Sequence, residues 1–197
     1  MKPFRWSPSG FDYLGIKITP QINQLYKDNV NPLVKNLKET LTRWKKLPVS
    51  FLGRINLIKM TILPKILYTI SMLFILHTSN DLKVINKTIS DFIWAGRKPK
   101  LKLETLQLPK ERGGWGLPNV EYYAISMQAR IISSWVNEYS YSPWLDLEII
   151  MCKPFSPVNL LDKRLNELPH IARNNSLITN VLLTWRKLRK IWSVSCT

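Results

Sequence analysis

The sequence predicts a mainly α fold, a three-helix bundle preceded by a short β-hairpin remnant and followed by further helices. Three observations carry this reading. Apolar residues recur every three to four positions in successive segments, the period of a helix with one buried face. Strand-like alternation is confined to a short stretch near the N-terminus, where Ile16 and Ile18 alternate with Lys17 and Thr19. The 13 prolines outnumber the 7 glycines, so the segments are separated by stops rather than by flexible linkers.

In chain order, residues 11–19 read as a strand or half of a hairpin, with Gly15 marking a bulge or a close backbone approach and Pro20 closing it. Leu33, Leu37, Leu41 and Trp44 then line one helical face, with Lys35, Lys38, Lys45 and Lys46 on the opposite half, and Leu47-Pro48 ends the helix. Ser50 is the expected N-cap of a second helix, Phe51 to Leu63, whose core positions are Phe51, Ile55, Ile58 and Ile62. Pro64 should kink or break it, because its ring removes a hydrogen bond and clashes with the preceding turn, and helix resumes through Leu76. Ser79 or Asn80 caps a third helix that buries Leu82, Ile85, Ile89, Phe92 and Ile93 and stops before Gly96. A basic loop, Arg97 to Lys102, and a turn-rich loop, Lys110 to Pro118, lead to a fourth helix from Val120 to about Glu138, with Asn119 as its cap. Pro143 to Pro157 reads as irregular with room for one short helix. Asn174 or Asn175 opens a last helix, Leu177 to Trp192, apolar at Ile178, Val181, Leu182, Trp185 and Leu188, with Arg186, Lys187, Arg189 and Lys190 as its basic cluster. The organisation is thus 1–20, 21–96, 97–140 and 141–197.

The 197 residues, 45% hydrophobic, can fill one core, or a small core plus an appended helical unit. Eight Trp, seven Tyr and six Phe argue against disorder. Charge is the strongest compositional signal, 29 basic against 13 acidic side chains, or +16. It is graded: +8 in residues 1–60, +5 in 61–120 and +3 in 121–197. A field of that sign attracts polyanions, phosphate backbones foremost, whereas solubility alone needs no such gradient.

Cys152 and Cys196 lack a CxxC partner, and His77 and His170 are not at ligand spacing from them, which argues against a zinc site. The polar, proline-broken start has no secretion signal. The longest apolar stretch, Ile66 to Leu76, is 11 residues, against roughly 20 for a membrane span. Two-metal phosphoryl transfer needs converging carboxylates, but the acids are scattered, Asp146 and Glu148 being the nearest to a pair. HExxH, GxxxxGK and GxSxG patterns do not occur. No catalytic residue, metal site or cofactor is therefore expected. Binding chemistry is better represented: Arg54 and Lys65 lie 11 residues apart on the second helix, almost in line if it were straight, with Lys59 farther round beside Ile55. Such cations suit a phosphate backbone; the competing reading is Lys and Arg snorkelling off a core helix.

Several blocks, in this order, resemble one family. Pro3-Phe4-Arg5-Trp6 followed by Tyr13-Leu14-Gly15-Ile16 resembles the end of the palm in LINE-type (non-LTR) retrotransposon reverse transcriptases, where a hairpin called the primer grip holds the primer end. Trp44-Lys45-Lys46-Leu47-Pro48, then Leu52 to Met60, then Ile62-Leu63-Pro64-Lys65 with Tyr68, resemble the thumb helices. Phe92-Ile93-Trp94 is similar to the end of the third thumb helix, and Lys110 with Gly113 to Asn119 and Tyr122-Tyr123 to the segment just beyond it. The resemblance covers residues 3 to about 135 and is loose beyond about 140.

The resemblance implies a thumb-like domain over 21–96 that contacts a primer–template duplex, RNA–DNA or DNA, with Arg54, Lys59, Lys65, Lys45 and Lys46 near phosphates. It implies a primer-grip-like role for Tyr13, Leu14 and Gly15, here expected as a frayed strand without its sheet. The family's metal-binding aspartates, which use Mg in the intact enzyme, lie upstream of the Tyr-Leu-Gly block, so this chain alone is expected to be a catalytically inactive, truncated copy. The alternative is a basic helical protein-interaction or structural fragment with no nucleic-acid role; binding to anionic membrane surfaces is a poorer third.

Overall fold

The computed structural model describes residues 7–73, 79–137 and 143–195. The Pro3–Trp6 block, the end of the Ile66–Leu76 stretch, His77, the Ser79 side chain, Glu138 and Cys196 lie outside what is described. The fold is mainly helical behind a two-stranded antiparallel hairpin, β1 (Phe11–Tyr13) and β2 (Ile16–Ile18). Within the described residues, the chain up to Met72 together with 79–120 forms one compact unit. Leu73 and the residues from Glu121 onward belong to a second.

In the first unit, the hairpin turns at Leu14-Gly15, both in the left-handed region (φ 48 and 77). Gly15 is therefore a turn residue rather than a bulge, because two positive φ angles in succession match the right-handed twist of a tight hairpin. The hairpin is not frayed. Ile16 is buried, and β2 packs on α1 (Ile22–Trp44). The buried Asn29 of α1 accepts from the Lys17 backbone N–H at 2.8 Å and donates to the Lys17 carbonyl at 2.9 Å.

Helix α1 buries Val30, Leu37 and Leu41 and turns Lys35, Lys38 and Lys46 outward, as its apolar period requires. Ser50 caps α2 (Phe51–Leu57), its hydroxyl accepting from the Gly53 N–H at 3.2 Å. Of the kink or break expected at Pro64, the break does not occur. Helix continues through a π-helical turn, Ile58–Ile62, into α3 (Leu63–Leu73). The Leu63 N–H bonds five residues back to the Ile58 carbonyl. This one-residue insertion falls immediately before Pro64, which has no N–H to offer, so the ladder is re-registered rather than broken. Helix α4 (Ser79–Ile93) buries Leu82, Ile85, Ile89, Phe92 and Ile93 against α1 and α2. It ends with the Gly96 N–H reaching back to the Asp91 carbonyl at 2.8 Å. A short α5 (Leu103–Gln107) and a single 3-10 turn, Lys110–Arg112, follow in a region read from sequence as loop.

In the second unit, α6 (Val120–Val136) leads to α7 (Pro143–Cys152), α8 (Pro157–Leu160), α9 (His170–Asn174) and α10 (Ser176–Ser195). Asn175 opens α10, its Oδ1 accepting from the N–H groups of Leu177 and Ile178 at 2.9 and 3.2 Å. A core of Ile132, Trp135, Cys152, Leu160, Ile178 and Leu182 joins these elements. The stretch from Pro143 to Pro157, read as irregular with room for one short helix, holds the ten-residue α7, whose Leu145, Met151 and Cys152 join that core. Among the described residues, no helix is long and apolar enough to cross a membrane.

Candidate nucleic-acid interface

Five cations and one hairpin turn were expected to form the site, and the structure separates them. Arg54 is not a surface residue. Only 6% of it is exposed, and each nitrogen of its guanidinium donates inside the first unit. Nη1 donates to the Phe92 carbonyl at 3.0 Å, Nη2 to the carbonyls of Lys45 and Leu47 at 3.1 Å each, and Nε to that of Val49 at 3.3 Å. Its charged carbon also lies 5.0 Å from the centre of the Phe92 ring. The expected phosphate contact is thus corrected to a pin: a planar fork gathers carbonyls from the α1–α2 turn and from the end of α4, of which Leu47 and Phe92 also accept backbone N–H groups. The expected alignment of Arg54 with Lys65 also fails. The extra residue of the π-helical turn rotates α3 relative to α2, so Arg54 faces the core while Lys65 is exposed.

Two other predicted residues lie against glycine turns. Lys45 is half-buried, and a side chain at Gly96 would meet its Nζ at 3.2 Å. Lys59 is half-buried too, and a side chain at Gly116 would meet its Nζ at 3.4 Å. Between these two glycine turns runs a row of three aromatic rings that sequence reasoning did not assign to the site. Phe51 sits 5.2 Å from Trp94 and 5.3 Å from Trp115, centre to centre, the second pair edge to face. The signal was present, since each ring belongs to or adjoins a quoted block, but an aromatic spacing in sequence does not disclose that three loops meet.

Trp115 is held by its backbone. Its N–H and that of Leu117 both donate to the Leu106 carbonyl, at 3.2 and 2.9 Å, and Gly116 N–H donates to Leu108 at 2.9 Å. Gly114 allows the chain to pass: a Cβ there would lie 2.0 Å from the Leu108 carbonyl oxygen.

Helix α1 and the turn after it present a surface depression lined by Lys35, Lys38, Glu39, Thr42, Arg43 and Lys46. The spacing places them in one stripe opposite the buried face. Lys46 was expected here; Arg43 was not singled out. Arg97, Lys98, Lys100 and Lys102 are all exposed in the loop after α4. In this unit Lys17 pairs with Asp28 at 3.4 Å.

The hairpin turn is anchored, the Tyr68 hydroxyl donating to the Leu14 carbonyl. Phe11, Tyr13 and Leu14 stand 59%, 56% and 66% exposed. Among the described residues no three His, Cys, Asp or Glu side chains gather where they could hold a metal ion. No protein-family model matches the chain.

Proposed function

We propose that this chain binds the phosphate backbone of a nucleic-acid duplex through its first unit, in the manner of the thumb of LINE-type reverse transcriptases. The observation that carries the reading is the cationic stripe of α1. Lys35, Lys38, Arg43 and Lys46 are exposed, aligned and, among the described residues, without an ion-pair partner, in a unit whose residues carry +13 of the total +16. Side chains so arranged neutralise phosphates without reading bases, and an RNA–DNA hybrid, with its wide shallow groove, offers them a shape rather than a sequence. Lys45, Lys59, Lys65 and the loop 97–102 extend the same field. In this reading Tyr13, Leu14 and Gly15 guide a primer end, and Arg54 acts only by holding the scaffold.

The test is the salt dependence of binding to a short RNA–DNA hybrid, followed by fluorescence anisotropy. Contact with about 6–10 phosphates predicts that affinity falls roughly 10³- to 10⁵-fold between about 50 and 200 mM salt. Replacing Lys35, Lys38, Arg43 and Lys46 together by Ala lowers the log–log slope by about 3–4, since each phosphate contact contributes about 0.9. The same treatment of Arg186, Lys187, Arg189 and Lys190 leaves it unchanged. A flat salt response overturns the proposal.

A second reading has its own observation: the apolar outer face of the hairpin, Phe11, Tyr13 and Leu14, suits a protein partner. Salt-insensitive self-association without binding to the hybrid would favour it.

A further inference from the structure

We propose that Trp115, backed by Phe51, is a stacking site for one unpaired nucleobase at the end of the bound duplex. The inference rests on the nucleic-acid reading of the first unit and adds to it a preference for a duplex that continues as a single strand. Three features of the site point to this occupant.

First, Trp115 is rigid and partly open. Its loop is fixed by backbone hydrogen bonds on both sides of the residue, and 37% of it is exposed. A ring already immobilised loses little conformational freedom when a flat partner settles on it. Second, its buried support is aromatic: Phe51 meets Trp115 edge to face and Trp94 on its other side, so one part of the indole surface is committed to the protein while the remainder faces outward. Third, the row is bracketed by ammonium groups, Lys59 at Gly116 and Lys45 at Gly96. An aromatic face with a cation beside it is what a single-stranded nucleotide requires, the base stacking on the ring and its phosphate meeting the charge. The exposed aromatic residues of the hairpin have no such arrangement, and Tyr68 is engaged through its hydroxyl with Leu14.

The experiment uses the full chain and three labelled hybrids: blunt-ended, with a single-stranded overhang, and with the same overhang made abasic. The overhang is expected to raise affinity about tenfold over the blunt hybrid, the effect of one stacked base, and the abasic overhang to lose that gain. This comparison leaves the protein untouched, so folding does not enter it. Trp115→Ala should bind all three hybrids as the wild type binds the blunt one, while Trp115→Phe, which keeps the packing against Phe51, should retain part of the gain. Equal affinity for blunt and overhung hybrids overturns the stacking site and leaves duplex binding standing. A gain that survives in the abasic form assigns the effect to phosphates and likewise overturns it. Failure to bind any of the three overturns the duplex reading and the stacking site together.

Discussion

In the unit that ends at Val120, 20 basic side chains accompany 7 acidic ones, and one of the described cations, Lys17, is ion-paired. In the unit from Glu121 onward 9 accompany 6, and four of those cations have a carboxylate or carbonyl partner. Lys187 and Arg189 reach Glu121 and Asp162 at 3.9 and 3.8 Å, Arg186 donates to the Lys163 carbonyl, and Arg173 donates to the carbonyls of Asn166 and Leu168. The contrast teaches that three of the four cations in the basic cluster of α10, conspicuous in sequence, have local partners, two of them through exposed pairs of little strength, whereas the four cations of the α1 stripe have no ion-pair partner among the described residues. Net charge alone would have ranked the two together. The cores differ in the same sense: the first unit is pinned by a buried cation, Arg54, the second by a neutral pair, Gln128 and Thr184.

The largest expected effect breaks the first pin. Arg54→Ala removes one buried charge and leaves the carbonyls of Lys45, Leu47, Val49 and Phe92 without that partner, costing about 3–5 kcal/mol. Arg54→Lys should recover little, because one ammonium cannot span four carbonyls on a planar fork. Denaturant unfolding followed by circular dichroism measures both. A loss below about 1 kcal/mol would return Arg54 to the ordinary surface class.

The same residue marks the limit of what the sequence disclosed. Apolar spacing located α1, α4 and α10 and the buried residues Leu37, Leu41, Ile55, Ile85 and Ile178, because a single helix's own period determines which face it buries. The Ser50 cap was legible for the same local reason, whereas Gly15, read as a bulge or a close approach, is a turn residue. Arg54 was misjudged because its partners are 5, 7, 9 and 38 residues away, and a guanidinium among carbonyls leaves no trace in spacing. The π-helical turn was equally hidden: Pro64 announces a disturbed ladder, but whether the chain kinks or inserts a residue is decided by packing on both sides. Lys45 and Lys59 could be named from sequence as cations. That the Phe51–Trp94–Trp115 row lies between them could not.

A middle-sized effect breaks the neutral pin. The fully buried Thr184 hydroxyl lies 3.0 Å from Gln128 Oε1 and 2.8 Å from the Asn180 carbonyl. Thr184→Val keeps the shape and removes the hydroxyl, taking the donor from the buried Gln128 Oε1 beside an Nε2 that already has no partner, with a loss of about 1–3 kcal/mol in the denaturant midpoint analysis. A neutral or stabilising result would mean that Gln128 finds another partner, and that the second unit does not depend on a polar pin as the first does.

The smallest effect concerns a carboxyl of the second unit whose environment is clearly altered. Desolvation by burial raises the Glu148 pKa above its ordinary 4.5, and the hydrogen bond from Trp135 Nε1, 2.6 Å long, opposes the rise without cancelling it. The folded chain therefore holds this proton more tightly than the unfolded chain. Between pH 4.5 and the raised value, stability falls as pH rises, and the cost of the buried charge is fully present above that window. Glu148→Gln keeps an acceptor for Trp135 and removes the titration, so its advantage over the wild type should be larger at neutral pH than at pH about 4. The neighbouring Cys152 supplies an independent readout. Burial first, and the Glu148 charge second, push its thiol up to about 11. Taking that charge away should lower the Cys152 pKa and quicken alkylation of the native protein, measured in a Cys196→Ser background to isolate the one thiol. If the wild type instead gains on Glu148→Gln as pH rises, the Trp135 bond outweighs desolvation, and the second unit, like the first, is held by a charge.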